Sequence, residues 1–258
     1  VWNNRQGLNV TVGLCGIAVM VMVATLCYCE DTFTGTQILK LIDKNYNAKT
    51  QVSVSEMVIK TERGPARTVE SKSWSEGNDK TFTEYLAPAR EKGTKMLKLG
   101  DELWIWSPSA DRVIKIAGHM LRQSVMGSDL SYEDFMENTK LADAYDVVIA
   151  TEQMVNARQC YILELTGKVD DLAYHKRKIW VDKERYVPLR SDLYAKSGKL
   201  LKTFKIADVF QVGDRWYPKK MVFKDALKRG DGTEFIIKSI EFDVEIPAHV
   251  FSKASLRR

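Results

Sequence analysis

The run Lys95-Met96-Leu97-Lys98-Leu99-Gly100-Asp101-Glu102-Leu103-Trp104-Ile105-Trp106 reads as two strands joined by a tight turn. Gly-Asp suits the positive backbone angles of a two-residue hairpin loop, and the flanking residues suit pleated, half-buried backbone. With Gly100-Asp101 as the turn, Leu99 faces Glu102, Leu97 faces Trp104 and Lys95 faces Trp106. Leu97, Leu99, Trp104 and Trp106 then form an apolar patch on one face, and Lys98 points to the other. On the next strand Ile114 and Ile116 alternate with Lys115 and are expected to join that apolar face.

The same period of two continues on both sides. Turn signals fall at 62–65, at 75–79, at Ser197-Gly198, at Gly213-Asp214 and at 229–232. Between the later ones, 147–151, 159–166, 178–181, 189–194, 200–209, 216–224 and 235–244 are strand candidates. The expectation is mainly β with helices (α+β): one domain, a curved antiparallel sheet of about eleven or twelve strands. Ahead of the strands, Ile38, Leu39, Ile42 and Tyr46 recur at helical spacing and predict an amphipathic helix. No repeat and no Pro/Ser-rich linker divides the chain.

One segment breaks the meander. Where a polar loop is expected, residues 118–130 carry Met120, Leu121, Val125, Met126 and Leu130. Ser131 then caps a helix with Asp134 in the reciprocal position, followed by Phe135 and Met136. Met repacks readily around different apolar partners, so a mobile cover over the sheet and ordinary core filling are both open readings.

Composition narrows the function. The 258 residues are 45% hydrophobic and 28% charged, enough to build a core. Lys+Arg 39 against Asp+Glu 34 gives a net charge of only +5, without a long basic run, which points away from nucleic acid. Three histidines, His119, His175 and His249, are too scattered for a metal cage or a triad. Asp171 and His175 are four apart, but the intervening chain leads into a strand. No nucleophile elbow, phosphate loop, dinucleotide fingerprint or C-x-x-C is present in the body of the chain. No enzyme, no cofactor and no metal is therefore expected. The basic cluster His175 to Lys178 suits either acidic lipid heads or a partner, or else a lysine-protected sheet edge.

The first residues are of another kind. From Gln6 to Cys29 there is no charge, and from Val12 onward nearly every residue is apolar. This reads as a signal peptide over residues 1–29, cut before Glu30, with 30–258 as the mature domain. The alternative is a retained anchor, since at about 1.5 Å per residue the segment almost spans a bilayer core. Cys15, Cys27 and Cys29 fall in this leader; Cys160 stands alone in a strand-like run and is expected to be a buried, inert thiol.

The segments 85–94 (YLAPAREKGT), 101–108 (DELWIWSP) and 126–134 (MGSDLSYED), followed by 180–184 (WVDKE), Pro188-Leu189 and Trp216-Tyr217-Pro218, resemble in order and spacing the outer-membrane lipoprotein-sorting proteins of the LolA-like superfamily. The chain departs from their pattern at Trp106-Ser107 and at Val125. The resemblance implies a periplasmic protein with an unclosed, strongly curved β-barrel and a helical lid over a hydrophobic cavity for acyl chains of lipids or lipoproteins. It also implies an inner-membrane exporter and an outer-membrane acceptor as partners. On the sequence reading the cavity and lid residues are Leu97, Leu99, Trp104, Trp106, Ile114, Ile116, Val125, Met126, Phe135 and Met136. The other reading is a membrane-tethered accessory subunit of an envelope exporter.

Overall fold

The computed structural model describes residue 1 and residues 33–60, 64–137, 140–170 and 172–257. The expected leader with its three cysteines, residues 62 and 63 of the turn at 62–65, and Asp171 lie outside the described residues. From residue 33 onward the chain forms one compact unit.

The elements run α1 (Gly35–Tyr46), β1 (Thr50–Ile59), β2 (Arg67–Glu76), β3 (Lys80–Ala87), β4 (Lys95–Leu99), β5 (Glu102–Ser107), β6 (Arg112–Ile116), α2 (Tyr132–Met136), α3 (Leu141–Ala144), β7 (Tyr145–Val155), β8 (Arg158–Gly167), β9 (Lys176–Asp182), β10 (Pro188–Tyr194), β11 (Leu200–Val212), β12 (Arg215–Asp225) and β13 (Thr233–Phe242). Among the described residues thirteen strands form one antiparallel sheet in the order β6-β5-β4-β3-β2-β1-β13-β12-β11-β10-β9-β8-β7, so the sheet is unclosed, with β6 and β7 at its edges. The count exceeds the expected eleven or twelve. Strands that place Ser, Thr and Lys on one face are held by cross-strand pairing, which local composition does not register.

Almost every neighbour in the sheet is a hairpin neighbour in sequence. The exception is β1 with β13, which joins the two halves of the chain. The chain thus runs outward to one edge at β6 and restarts at the opposite edge with β7. The connecting segment 117–144 has to cross the width of the sheet, and this is why it becomes a cover.

The amphipathic helix forms where the spacing predicts it. Thr34 caps α1, with its side chain and that of Gln37 in a reciprocal capping box. Ile38, Leu39 and Ile42, all nearly fully buried, pack on Leu163, Leu165, Ile179 and Val181 of β8 and β9. At roughly 1.5–3 kcal/mol for each fully buried aliphatic side chain, this contact accounts for the helix, which at 12 residues would be marginal alone.

Both faces of the sheet are covered. On the face bearing the helices, Met57, Ile59, Val69 and Tyr85 meet Leu130 and Phe135 of the crossing segment. On the opposite face, Trp74, Phe82, Leu97 and Trp104 lie side by side across β2 to β5. There the C-terminal segment covers them with Ile246, Val250, Phe251 and Leu256.

Candidate functional site

Under the crossing segment lies a cavity of about 380 Å³, walled by Ile179, Pro188, Leu193, Phe204, Met221 and Phe223 and bounded by Ile42 and Tyr46 of α1. Asn78, in the β2–β3 turn, reaches the same cavity. In sheet order β2 and β9 are six strand steps apart, on the order of 29 Å if the sheet were flat. Only a strongly curved sheet brings both to one space. A second hollow of about 170 Å³ shares Asp134, Met221 and Phe223 with it and continues to Leu130, Phe135 and Phe235. The aromatic wall is stacked: Phe204 and Phe223 have ring centres 4.9 Å apart, and Phe223 meets Phe235 edge-on at 6.3 Å.

The wall is apolar and the roof is ionic. Asp134, in α2, accepts hydrogen bonds from Tyr174 Oη and Lys202 Nζ, and from the Ser131 backbone N–H at 2.7 Å. Lys202 Nζ also donates to Ser131 Oγ at 3.0 Å. Glu137, at the C-terminal end of α2, pairs with Arg177 of β9. Arg177 Nε donates to Tyr145 Oη at 2.8 Å, and Tyr145 Oη donates to the Tyr174 carbonyl at 2.7 Å. Burial lowers the Arg177 guanidinium to about 10. Burial, reinforced by the Asp134 carboxylate, pushes the Tyr174 phenol far up, so it acts as a donor. The Tyr46 hydroxyl is buried without a hydrogen-bond partner among the described residues, and burial raises its pKa as well.

The loop before α2 is anchored separately. Arg67 donates to the Met126 carbonyl, and Lys228 to Ser124 Oγ and the Ser128 carbonyl. Asp129 accepts from Thr233 Oγ1 at 2.8 Å and from the Asp225 N–H at 3.0 Å. Met126 and Gly127 hold positive φ there.

The structure divides the residues expected at the site. Leu97, Leu99, Trp104 and Trp106 share a face in the expected register, but it is the face under the C-terminal segment, away from the cavity. Ile114 and Ile116 do not join them: Ile116 opposes Leu103 and Ile114 opposes Ile105, while Lys115 opposes Trp104. Those isoleucines pack with Met96, Met120, Tyr132, Phe135 and Met136 on the helix-bearing side. The reason is that β4 and β5 are apolar on both faces, so alternation alone does not say which is interior. Val125 is buried at the turn of the crossing segment, and Met126 packs beside Leu130. Of the ten, Phe135 lines the smaller hollow, and none lines the larger cavity. The cluster His175 to Lys178 is no sheet edge: β9 lies between β8 and β10, and Arg177 points into the roof. Missed altogether were Phe204, Met221, Phe223 and Phe235, although the alternations Phe204-x-Ile206, Met221-x-Phe223 and Phe235-x-Ile237 were available as a signal.

Comparison with known proteins agrees with this architecture. A family model described only as an uncharacterized protein matches residues 77–258. No curated protein matches the chain. Among solved structures, a DUF1329 family protein from Desulfovibrio piger is 26% identical, with a TM-score of 0.78 over 86% of this chain and 97% of that one. A domain described as an outer membrane lipoprotein-sorting protein, from Vibrio parahaemolyticus, is 25% identical, with a TM-score of 0.73 over 87% and 98%. A LolA superfamily protein from Nitrosomonas europaea shares the fold at 22% identity, with a TM-score of 0.72 over 87% and 100%. With a family model that covers residues 77–258 and an unclosed sheet that shares its fold with a LolA superfamily protein, the chain belongs to the family described as an uncharacterized protein.

Proposed function

We propose that this chain is a non-catalytic carrier that holds the acyl chain of a lipid or lipoprotein in the cavity beneath α2 and moves it toward the outer membrane. The observation that carries this reading is the aromatic-walled cavity of about 380 Å³ roofed by a short, separately anchored segment; that size falls within the range of small-ligand sites. An acyl chain of about fifteen methylenes costs roughly 12 kcal/mol to leave in water, so transit through an aqueous compartment needs a covered apolar site. A cover that closes on its own polar partners when empty lowers the net affinity and allows release. Among the described residues no helix is long and apolar enough to cross a membrane. In this reading residues 1–29 are a signal peptide, and the domain works in the periplasm between an exporter and an acceptor.

The test is organic extraction of the protein purified from its native envelope, with identification of the extract, together with titration of the purified chain with a fluorescent acyl probe. Bound lipid and saturable uptake are expected. An empty extract together with no uptake overturns the carrier. N-terminal sequencing of the native protein is expected to begin at Glu30; a retained leader overturns the free periplasmic form.

A further inference from the structure

The charges of the roof are arranged with the cations on the wall and the anions on the cover. Arg177 and Lys202 belong to β9 and β11; Asp134 and Glu137 belong to α2 and its C-terminal end. The side chains of Arg177 and Lys202 are each only 9% exposed. Both cations lie against one ring, that of Tyr174, at 5.6 Å and 5.9 Å from its centre, so they are neighbours. Both line the large cavity, beside the apolar wall of Phe204, Met221 and Phe223. The other carboxylate of the cavity, Asp43, is occupied by the backbone N–H groups of Leu141 and Ala142 at 3.2 Å each.

An uncharged chain entering this space faces a difficulty. Lifting α2 strands two cations in a poorly solvated wall, and an uncompensated buried charge is costly. An amphiphile with an anionic head meets no such penalty, because its carboxylate or phosphate replaces Asp134 and Glu137 at Lys202 and Arg177 as they leave. The geometry points to an anionic amphiphile as the ligand class: its head exchanges with the two cover carboxylates at Arg177 and Lys202, and its chain lies along Met221, Phe223 and Phe235. This rests on the carrier reading and adds head-group selectivity to it. The exchange explains why β9 and β11 carry cations facing inward, and it couples head-group binding to release of the cover.

The probes are 11-(dansylamino)undecanoic acid and its methyl ester, titrated by fluorescence against the full chain, the double variant Asp134→Asn/Glu137→Gln, the single variant Glu137→Gln and the variant Arg177→Gln. Each protein is checked for cooperative melting. The acid is expected to bind the unaltered chain more tightly than the ester. Removing the cover's carboxylates raises the ratio of acid to ester affinity by about tenfold, the size of one charge-assisted hydrogen bond. Glu137→Gln alone, at the more exposed pair, raises it less, and Arg177→Gln lowers it. An affinity ratio unchanged in all variants, with both probes binding, overturns the head-group exchange and leaves the carrier standing. Binding of neither probe overturns both. Inorganic phosphate at millimolar concentration is expected not to displace the acid; displacement marks a plain anion site and overturns the amphiphile.

Discussion

Trp104 and Phe223 look alike in sequence, each an aromatic residue in an alternating strand, yet they do different work. Trp104 is 6% exposed and lies in the back-face core, with Lys253 Nζ 3.9 Å from its ring centre. Trp104→Ala is expected to cost about 3–5 kcal/mol of stability and to leave the probe affinity of the remaining folded protein unchanged. Phe223 lines both hollows, and Phe223→Ala is expected to weaken acyl-probe binding by about tenfold, as for the loss of an anchoring aromatic contact. Chemical denaturation and fluorescence titration of the two variants check this; a reversed pattern places the ligand on the wrong face. Lys98 makes a second residue-level test. It is 5% exposed. Burial lowers its amine to about 8, opposed by the nearby Asp79 and Asp101. Below pH 8 both folded and unfolded chains hold the proton, and the folded state bears the full desolvation cost. Between pH 8 and the ordinary value of 10.5 the unfolded chain binds more protons, so this group's contribution to stability rises with pH. Lys98→Met is therefore expected to stabilise at pH 7, on the order of 2 kcal/mol, with the gain shrinking by pH 9.5. Melting curves of both proteins at the two pH values decide it, and a gain independent of pH contradicts the assignment.

The elements around the cavity depend on close backbone approach at one hairpin. Gly232 precedes β13 at φ +92°, and a Cβ there would sit 2.4 Å from the Phe223 carbonyl oxygen. Because Phe223 pairs with Thr233 in the β12–β13 ladder, Gly232→Ala has to push apart the two strands that carry Phe223 and Phe235. A loss of more than about 2 kcal/mol is expected from strain and disrupted pairing together, along with weaker probe binding. A denaturation midpoint within error of the unaltered protein contradicts the close approach. By contrast α2, with five residues, is too short to persist alone. It is held by Asp134, Glu137 and the anchored loop before it, which is the construction a releasable cover requires.

For the whole molecule, the open sheet has two faces to protect and uses different chain segments for each. The crossing segment, imposed by the jump from one sheet edge to the other, roofs the cavity. The C-terminal segment seals Phe82, Leu97 and Trp104 on the back. Ending the chain after Glu245 uncovers that patch, and exposed apolar surface of this kind drives association. The shortened chain is expected to melt at lower temperature and to self-associate in sedimentation velocity runs, while its monomeric fraction still takes up the acyl probe. An unchanged melting temperature and a monodisperse monomer contradict the sealing role.

What the amino-acid order determined by itself was local. The Gly100-Asp101 turn set the register of β4 with β5, because a two-residue hairpin leaves one way to pair its strands. The spacing of Ile38, Leu39 and Ile42 produced α1, and Ser131 with Asp134 opened α2. The antiparallel meander was legible in the same way, as period-two runs interrupted by one segment that is apolar where a loop should be polar, whereas the unclosed sheet and its lid were implied by the family resemblance and not by the pattern. Tertiary structure alone decided which face of that sheet is the inside. Strands apolar on both sides carry no preference until something distant covers one of them, here the C-terminal segment on the back and α1 and α2 on the front. It also decided the role of Asp134, whose sequence position explained it as a helix cap. Its partners Tyr174 and Lys202 lie 40 and 68 residues away, brought together by the curvature of a sheet that no single window of sequence contains.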